Sequence, residues 1–295
     1  MQNVIIALSL GSAYFLFAQG LSLTWATIDV LNFGHGAIFM FSVFSCSVLL
    51  GEVELPLVGL LLVAVAVGAA LSLLAQLLVF GIIAARAKDR RSAELQVLIA
   101  GVGIGSILLA IAQKNAKGTA FGLSGSSFET TTFEFFGATA TNVTVIMIVT
   151  AIVLGLVVAW WLRRTRFGLA LRAIGIDDEV ASMMGADRSV LAAGAMAAAG
   201  ALAGVAGVLF TLYATAIVPE TGDVLLIKAF AVVILGGVGS TFGVAVGALA
   251  LAAAEVVILT QTSGLWVDAI SFGLIIAVLV LRPRGLFGKK EVQRA

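Results

Sequence analysis

The segment Asp29–Gly36 concentrates groups that could contact a polar solute inside a membrane. It reads Asp-Val-Leu-Asn-Phe-Gly-His-Gly and places the only histidine of the chain at the start of an apolar run. Within lipid, non-helical backbone is tolerated only where it is buried in protein or lines a cavity. Asn32, Gly34, His35 and Gly36 are therefore candidates for a translocation path. The alternative is structural: a helix cap by Asp29 or Asn32, with His35 hydrogen-bonded inside a bundle.

A second glycine-rich break interrupts the apolar run at 225–259. Two glycine-interrupted segments, one in each half of a chain, are typical of transporters built from repeats. We therefore add Gly236, Gly237 and Gly239 to the candidate path, and we expect the two breaks to approach each other across a pseudo-twofold axis. The alternative is that small residues at four-residue spacing only allow helices to pack closely. Such ladders occur at Gly239/Gly243/Gly247, Gly101/Gly105 and Gly200/Gly204.

The basic loop at about 163–189 contains the signals of a short helix. Asp177 can cap it, two acidic residues follow in its positively polarised first turn, and Gly185 can end it. Its apolar stripe consists of Val180, Met183 and Met184. Such a helix has little core to join, so we interpret it as an interfacial helix or as a docking surface for another protein. The nearby basic residues are equally consistent with ordinary membrane anchors.

Motifs for ATP binding and for hydrolysis are absent from the sequence. It has no Gly-x-x-x-x-Gly-Lys-Ser/Thr loop, no His-Glu-x-x-His and no Gly-x-Ser-x-Gly. One histidine and the single Cys46 predict no metal site and no internal disulfide. Ionisable residues deep in apolar runs are few, with Glu255 the clearest, whereas an ion-coupled pump usually carries several. We therefore predict a chain that is not an enzyme, binds no cofactor and has no energy source of its own.

Composition determines which elements must hold these groups. Hydrophobic residues make up 61% of the 295 and charged residues only 11%, with a net charge of +1 and a mean hydropathy of +1.16. A soluble domain averages about 25% charged residues. The sequence therefore predicts an all-α integral membrane protein, a bundle of about eight spans with glycine-broken helices in one domain over residues 1–295, and it gives no sign of nucleic-acid binding.

Each span needs roughly 20 apolar residues. The candidate spans are 3–25, 30–50, 55–85, 95–113, 142–162, 190–213, 225–259 and 264–281. The run at 225–259 is long, and its glycine break predicts a short span, a tight turn and a full span. A re-entrant 225–235 segment is the alternative.

The distribution of lysine and arginine predicts the orientation. Segments 86–91, 163–188 and 282–294 hold 14 of the 17, while the opposite loops hold Lys114, Lys117 and Lys228. Because basic loops remain cytoplasmic, we predict an external N-terminus and a cytoplasmic C-terminus. The longest external loop, about 114–141, is expected to be an ordered loop or a short interfacial helix, or simply a solvated connector.

Several short motifs carry a family resemblance along nearly the whole chain. They are Leu8-Ser-Leu-Gly-Ser-Ala-Tyr14, Val30-Leu-Asn-Phe-Gly-His-Gly-Ala37, Arg166-Phe-Gly168, Met184-Gly-Ala186, Ala203-Gly-Val-Ala-Gly-Val208, Leu235-Gly-Gly-Val-Gly-Ser240 and Leu281-Arg-Pro-Arg-Gly-Leu-Phe287. In this order and spacing the chain resembles the permease subunits of bacterial ABC importers for branched-chain amino acids, a group that includes urea and short-chain amide importers.

The resemblance implies a role for the basic loop. Glu179-Val-Ala-Ser-Met-Met-Gly185 is similar to the cytoplasmic Glu-Ala-Ala-x-x-x-Gly element with which ABC permeases dock in a groove of the ATPase. Val180 replaces the first alanine, and the Ile-x-Leu-Pro ending of the classical form is missing. The residues implied in coupling are Glu179, Val180, Ala181, Met183, Met184 and Gly185.

The resemblance also implies partners in a bacterial inner membrane: a second homologous permease, two ATPase subunits that use the ATP, and an extracytoplasmic binding protein. A leucine-like zwitterion, urea and a small amide all remain open as substrates. The main alternative is a secondary transporter or facilitator that works without ATP; a membrane scaffold or enzyme is less consistent with the missing catalytic motifs.

Overall fold

Long apolar stretches without internal proline form the helices that dominate this fold. Pro56 stands at the N-cap of one helix and Pro219 two residues before another, positions where a missing backbone N–H costs little. The computed structural model describes residues 1–135, 137–261, 269, 273, 276, 280, 286 and 287. Its helices are α1 (Gln2–Ile28), α2 (His35–Leu50), α3 (Leu57–Ala75), α4 (Gly81–Arg86), α5 (Arg90–Asn115), α6 (Asn142–Arg164), α7 (Arg166–Ile174), α8 (Asp178–Met183), α9 (Arg188–Ala214), α10 (Thr221–Gly236) and α11 (Thr241–Gln261).

Six helical segments of the described chain are long and apolar enough to cross a membrane. One of them, Leu57–Arg86, is α3 continued into α4 through a single π-helix at Gln76–Phe80. The helices α2 and α10 are shorter, with 16 residues each. The predicted all-α polytopic membrane fold is thus confirmed, and so is the break in the 225–259 run. The candidate span at 264–281 lies outside the continuously described residues, and the exact number of spans stays a prediction.

The helices α1 and α9 form the centre of the bundle. About two thirds of the span window of α1 and 72% of that of α9 are buried, against 22% for α3–α4. Close backbone contacts pack α3 on α9: a Cβ at Gly200 would overlap the carbonyl oxygen of Gly68, and one at Gly204 that of Ala64. The packing interpretation of this glycine ladder is confirmed, because only glycine permits such an approach.

The predicted external loop is an ordered loop built from strands rather than an interfacial helix. Strands β2 (Thr132–Phe135) and β3 (Ala138–Thr141) pair as an antiparallel hairpin. Strand β1 (Phe121–Gly122) pairs with β4 (Ala216–Ile217), which follows α9. The loop is therefore tied to the second half of the chain.

The loops are grouped at the two ends of the bundle as the charge distribution predicts. At one end, Gln113 in the last turn of α5 donates to Glu220 just before α10 at 2.6 Å. At the other end, Gly239 after α10 donates to Ser22 near the end of α1, and the basic loop touches the same region, where Gly175 lies against Ala26. The helix α10 therefore extends from near the last turn of α5 to near the end of α1, and the choice between a full span and a re-entrant segment stays a prediction.

Cysteine labelling tests which end is cytoplasmic. Lys88→Cys and Ile176→Cys should react only with a reagent that has crossed the membrane, because both lie at the basic end, where Ile176 is exposed. Gly125→Cys should react with an impermeant reagent added outside. Wild-type protein is the control, since its only cysteine, Cys46, is buried. External labelling at position 88 or 176 would overturn the orientation.

Candidate functional site

The predicted helix in the basic loop is present. Helix α8 begins after Asp177, whose carboxylate accepts from the amide of Val180 at 3.1 Å. It ends before Gly185, which has a φ of 88°. Both the N-cap and the glycine stop are therefore confirmed as the local signals that delimit this helix.

The apolar stripe of α8 faces away from the rest of the chain. Ala181 is buried against the cluster that contains Leu171, Ile174 and Leu191, whereas Met183 and Met184 are 82% and 85% exposed. Val180 is half-exposed and Glu179 is exposed. An ion pair between Asp178 and Arg188 ties α8 to the start of α9. One small side chain thus anchors the helix, and its large apolar side chains are left exposed.

The first glycine break places the start of α2 deep inside the bundle. Helix α1 ends at Ile28, and Asp29 follows with a φ of 58°. The chain then turns back, so that His35 Nε2 lies 3.3 Å from the carbonyl oxygen of Phe17. Phe17 precedes the end of α1 by about three turns, or about 16 Å. The helix α2 therefore begins roughly halfway along α1, after a non-helical segment at 29–34.

Asn32 and His35 of this break form hydrogen bonds within the chain. The buried Asn32 accepts from the amide of Gly34 at 2.9 Å, and its own carbonyl accepts from the amide of His35. The imidazole of His35 is buried and stacks on the ring of Phe17, with the centroids 4.8 Å apart. These contacts hold Asn32 and His35 in place inside the bundle, and their role beside a translocation path stays a prediction. Among the described residues, no group of three His, Cys, Asp or Glu could hold a metal ion.

The glycines of the first break make close contacts with other helices. A Cβ at Gly36 would overlap the carbonyl oxygen of Gly222 in α10, and one at Gly34 would come within 3.0 Å of the carbonyl oxygen of Gly101. Gly36 lies within α2, and it does not have a positive φ. Alanine at position 36 would therefore not preserve the packing, because the two backbones already touch there.

The second break does use glycine for its backbone conformation. Gly237 has a φ of 94° and Gly239 a φ of 78°, values that side-chain-bearing residues rarely adopt. A Cβ at Gly236 would overlap Gly243, so α10 and α11 meet backbone to backbone at this turn. Ser240 accepts from the amide of Gly243 and stabilises the first turn of α11.

The structure does not bring the two breaks together. His35 lies against Phe17 and Gly20 of α1, whereas Gly239 lies against Ser22 and Ala26. Positions 17 and 26 point in opposite directions, because nine residues at 3.6 per turn make two and a half turns. The predicted approach of the breaks is therefore not seen among these contacts: the breaks lie against different sides of the second half of α1.

The structure contains a buried ion pair near the breaks. Its residues were not among the candidate site residues predicted from the sequence. Lys228 Nζ lies 2.9 Å from Glu255 Oε1, and Tyr14 donates its hydroxyl proton to Glu255 Oε2 at 2.6 Å. The ammonium is also 3.4 Å from the Tyr14 oxygen and 5.5 Å from its ring centroid. Placing Lys228 in an external loop was wrong, because it lies within α10. The sequence feature that could have identified the pair was one lysine and one glutamate in the otherwise apolar run 225–259.

A cavity of about 510 Å³ opens beneath the β2–β3 hairpin, at the end of the bundle that is predicted to be external. Its walls carry many hydroxyl groups, including those of Ser9, Thr144, Tyr213 and Thr215. Its lining contains no lysine, arginine, aspartate or glutamate among the described residues. The cavity can therefore solvate a polar solute, but it offers no ion pair to one.

Comparison with known proteins places this geometry in context. The sequence profile described as "Branched-chain amino acid transport system / permease component" matches residues 3–279. The high-affinity branched-chain amino acid transport system permease protein LivH of Escherichia coli is 29% identical over 100% of this chain and 97% of its own. The corresponding BraD of Pseudomonas aeruginosa is 27% identical with the same coverage. A probable LivH of Methanocaldococcus jannaschii is 30% identical over 92% of this chain and 88% of its own. No solved structure matches significantly.

Proposed function

Because the chain belongs to the family of permease components of branched-chain amino acid transport systems, it is a permease subunit of an ABC importer, and we propose that its own bundle borders the path of a branched-chain or other hydrophobic amino acid. It is a multi-pass protein of the inner membrane, in keeping with its long apolar helices. The transport family is not a family of enzymes. No observation favours the alternative of a secondary transporter or facilitator.

The observation that carries the proposed coupling is the exposed face of α8. Met183 and Met184 project from a helix that is anchored through Ala181. Exposed apolar side chains of this size at the end of a membrane bundle suit insertion into a hydrophobic groove of a partner. We assign that partner as an ATPase subunit, which binds and hydrolyses ATP on behalf of the permease.

The complete importer in this proposal contains a second homologous permease, two ATPase subunits and an extracytoplasmic binding protein. Only the existence of ATPase and binding-protein partners follows from the class of importer. The number of subunits and the use of two different permeases are part of the proposal. The binding protein selects the solute, so the permease needs no tight site of its own.

We assign the two glycine breaks to the border of the path. The non-helical segment at 29–34 supports this, because irregular backbone at membrane depth is tolerated only beside protein or a water-filled cavity. In this proposal the first break contributes Asn32, Gly34, His35 and Gly36, and the second contributes Gly236, Gly237 and Gly239, on the opposite face of α1.

Reconstitution of the importer in lipid vesicles tests the proposal. The permease, its cognate ATPases and the second permease should take up labelled leucine only when ATP and the binding protein are both present. Omitting the ATPases, or using a hydrolysis-deficient ATPase, is the control. Uptake by this chain alone would instead establish the facilitator. Strong competition by urea or acetamide for the cognate binding protein would exclude an amino acid as the substrate.

A further inference from the structure

The Lys228–Glu255 pair and Tyr14, here called the ion-pair triad, join three helices inside the bundle. The side chain of Glu255 is 2% exposed and that of Lys228 is 15% exposed. Both carboxylate oxygens have partners within hydrogen-bonding distance, one the ammonium of Lys228 and the other the hydroxyl of Tyr14. The pair is therefore preformed, charge-compensated and almost completely desolvated.

Stability alone does not require these charges. Replacing a buried ion pair with well-packed apolar side chains of similar volume is often neutral or favourable. In a membrane-spanning segment ionisable groups are costly, and they commonly mark the path of a solute or ion. An ion pair embedded in a bundle of this composition is therefore better explained by function than by packing.

Lys228 lies at the edge of an exposed face of α10. Asp223, Val224 and Ile227 are exposed on this face, and Asp223 lies one turn before Ile227. Asp223 stands in the first turn of α10, and a carboxylate that faced hydrocarbon would be unfavourable, so we infer that water reaches this face from the start of the helix. Such a face would let a solute reach the Lys228 ammonium from the external end of the helix, about 7 Å past Asp223 along the axis.

We propose that the ion-pair triad is a transient site for an α-amino acid zwitterion during its passage. The ammonium of Lys228 would take the solute carboxylate, and Glu255 would take the solute ammonium while Tyr14 continues to donate to its second oxygen. One ion pair is thereby exchanged for two, and no net charge is added to the bundle. Urea or a neutral amide offers no such exchange. This inference rests on the proposed function and specifies the chemistry of its path.

The double substitution K228M/E255Q provides the first test. It removes both charges with little change in volume, so neither partner is left as an unpaired charge. In the reconstituted importer we expect leucine uptake to fall at least tenfold, while co-purification with the ATPases and ATP hydrolysis stay within twofold of wild type. The matched control is Leu226→Met, an uncharged and volume-conserving change at a buried position of the same helix.

Uptake by K228M/E255Q within twofold of wild type would overturn the proposal and leave the pair as a structural clamp. If the wild-type importer itself shows no ATP-dependent leucine uptake, the proposed function fails instead, and the two outcomes are thus distinct. A second measurement does not depend on assembly of the double variant. Ile227→Cys should react with a water-soluble thiol reagent in the assembled importer, and absence of that reaction would also overturn the proposal. Wild type, with its buried Cys46, is the control.

Discussion

Replacing Gly185 by tryptophan is expected to abolish uptake while leaving the permease folded. Gly185 is exposed, and a Cβ there would meet no atom of this chain within 4 Å. Its φ of 88° disfavours any side chain. The last turn of α8 would therefore rearrange locally, without a change in the packing of the bundle. An indole beside Met183 and Met184 would block the apolar face that we assign to docking on the ATPase. We expect at least a tenfold loss of ATP-driven uptake at normal yield.

A matched control exists at the opposite end of the bundle. Gly118 also has a positive φ, of 70°, and open space around its Cα, but it lies beyond α5 and far from α8. Gly118→Trp should cost a similar amount of backbone strain and leave uptake within about twofold. Normal uptake with Gly185→Trp, or an equal loss with Gly118→Trp, would show that α8 does not couple the permease to the ATPase.

Replacing Gly36 by alanine is expected to destabilise the bundle. Its new methyl group would overlap the carbonyl oxygen of Gly222 and press on Leu226, so α2 and α10 would have to separate. Overpacking of this kind typically costs about 1–3 kcal/mol. We expect a lower melting temperature of the detergent-solubilised permease, measured by size-exclusion chromatography after heating, together with a reduced yield from membranes.

Gly103 provides the comparison for this substitution. It lies within α5, and a Cβ there would meet nothing within 4 Å. Gly103→Ala should therefore leave the melting temperature unchanged or raise it, because alanine is the better helix former by about 1 kcal/mol. If the two variants melt at the same temperature, the contact between Gly36 and Gly222 does not limit stability.

Features that depend on local sequence were predictable. The cap at Asp177, the stop at Gly185 and the interruption of the 225–259 run all follow from residues a few positions apart, and the structure shows each of them. The sorting of loops between the two ends also followed from charge, since arginine and lysine cluster in a few segments.

Features that depend on the meeting of distant helices were not predictable. Lys228 and Glu255 lie on different helices, and only the rotation of α10 and α11 about their axes brings their side chains within 2.9 Å. The packing role of Gly36 likewise depends on Gly222, a partner from the other half of the chain. The two breaks lie against different sides of α1, and hydropathy contains no information about that arrangement.

The π-helix at Gln76–Phe80 has a consequence for how this chain aligns with its relatives. A π turn closes between residues five apart instead of four, so it holds one residue more than the α turn that it replaces. A relative that is α-helical throughout this span would align with a single-residue gap near position 76–80. The residues on either side of the gap would still point toward the same neighbouring helices. The same gap inside α9 would rotate one half of that helix by about 100°. It would carry Gly200 or Gly204 away from α3 and break the close contacts between α3 and α9.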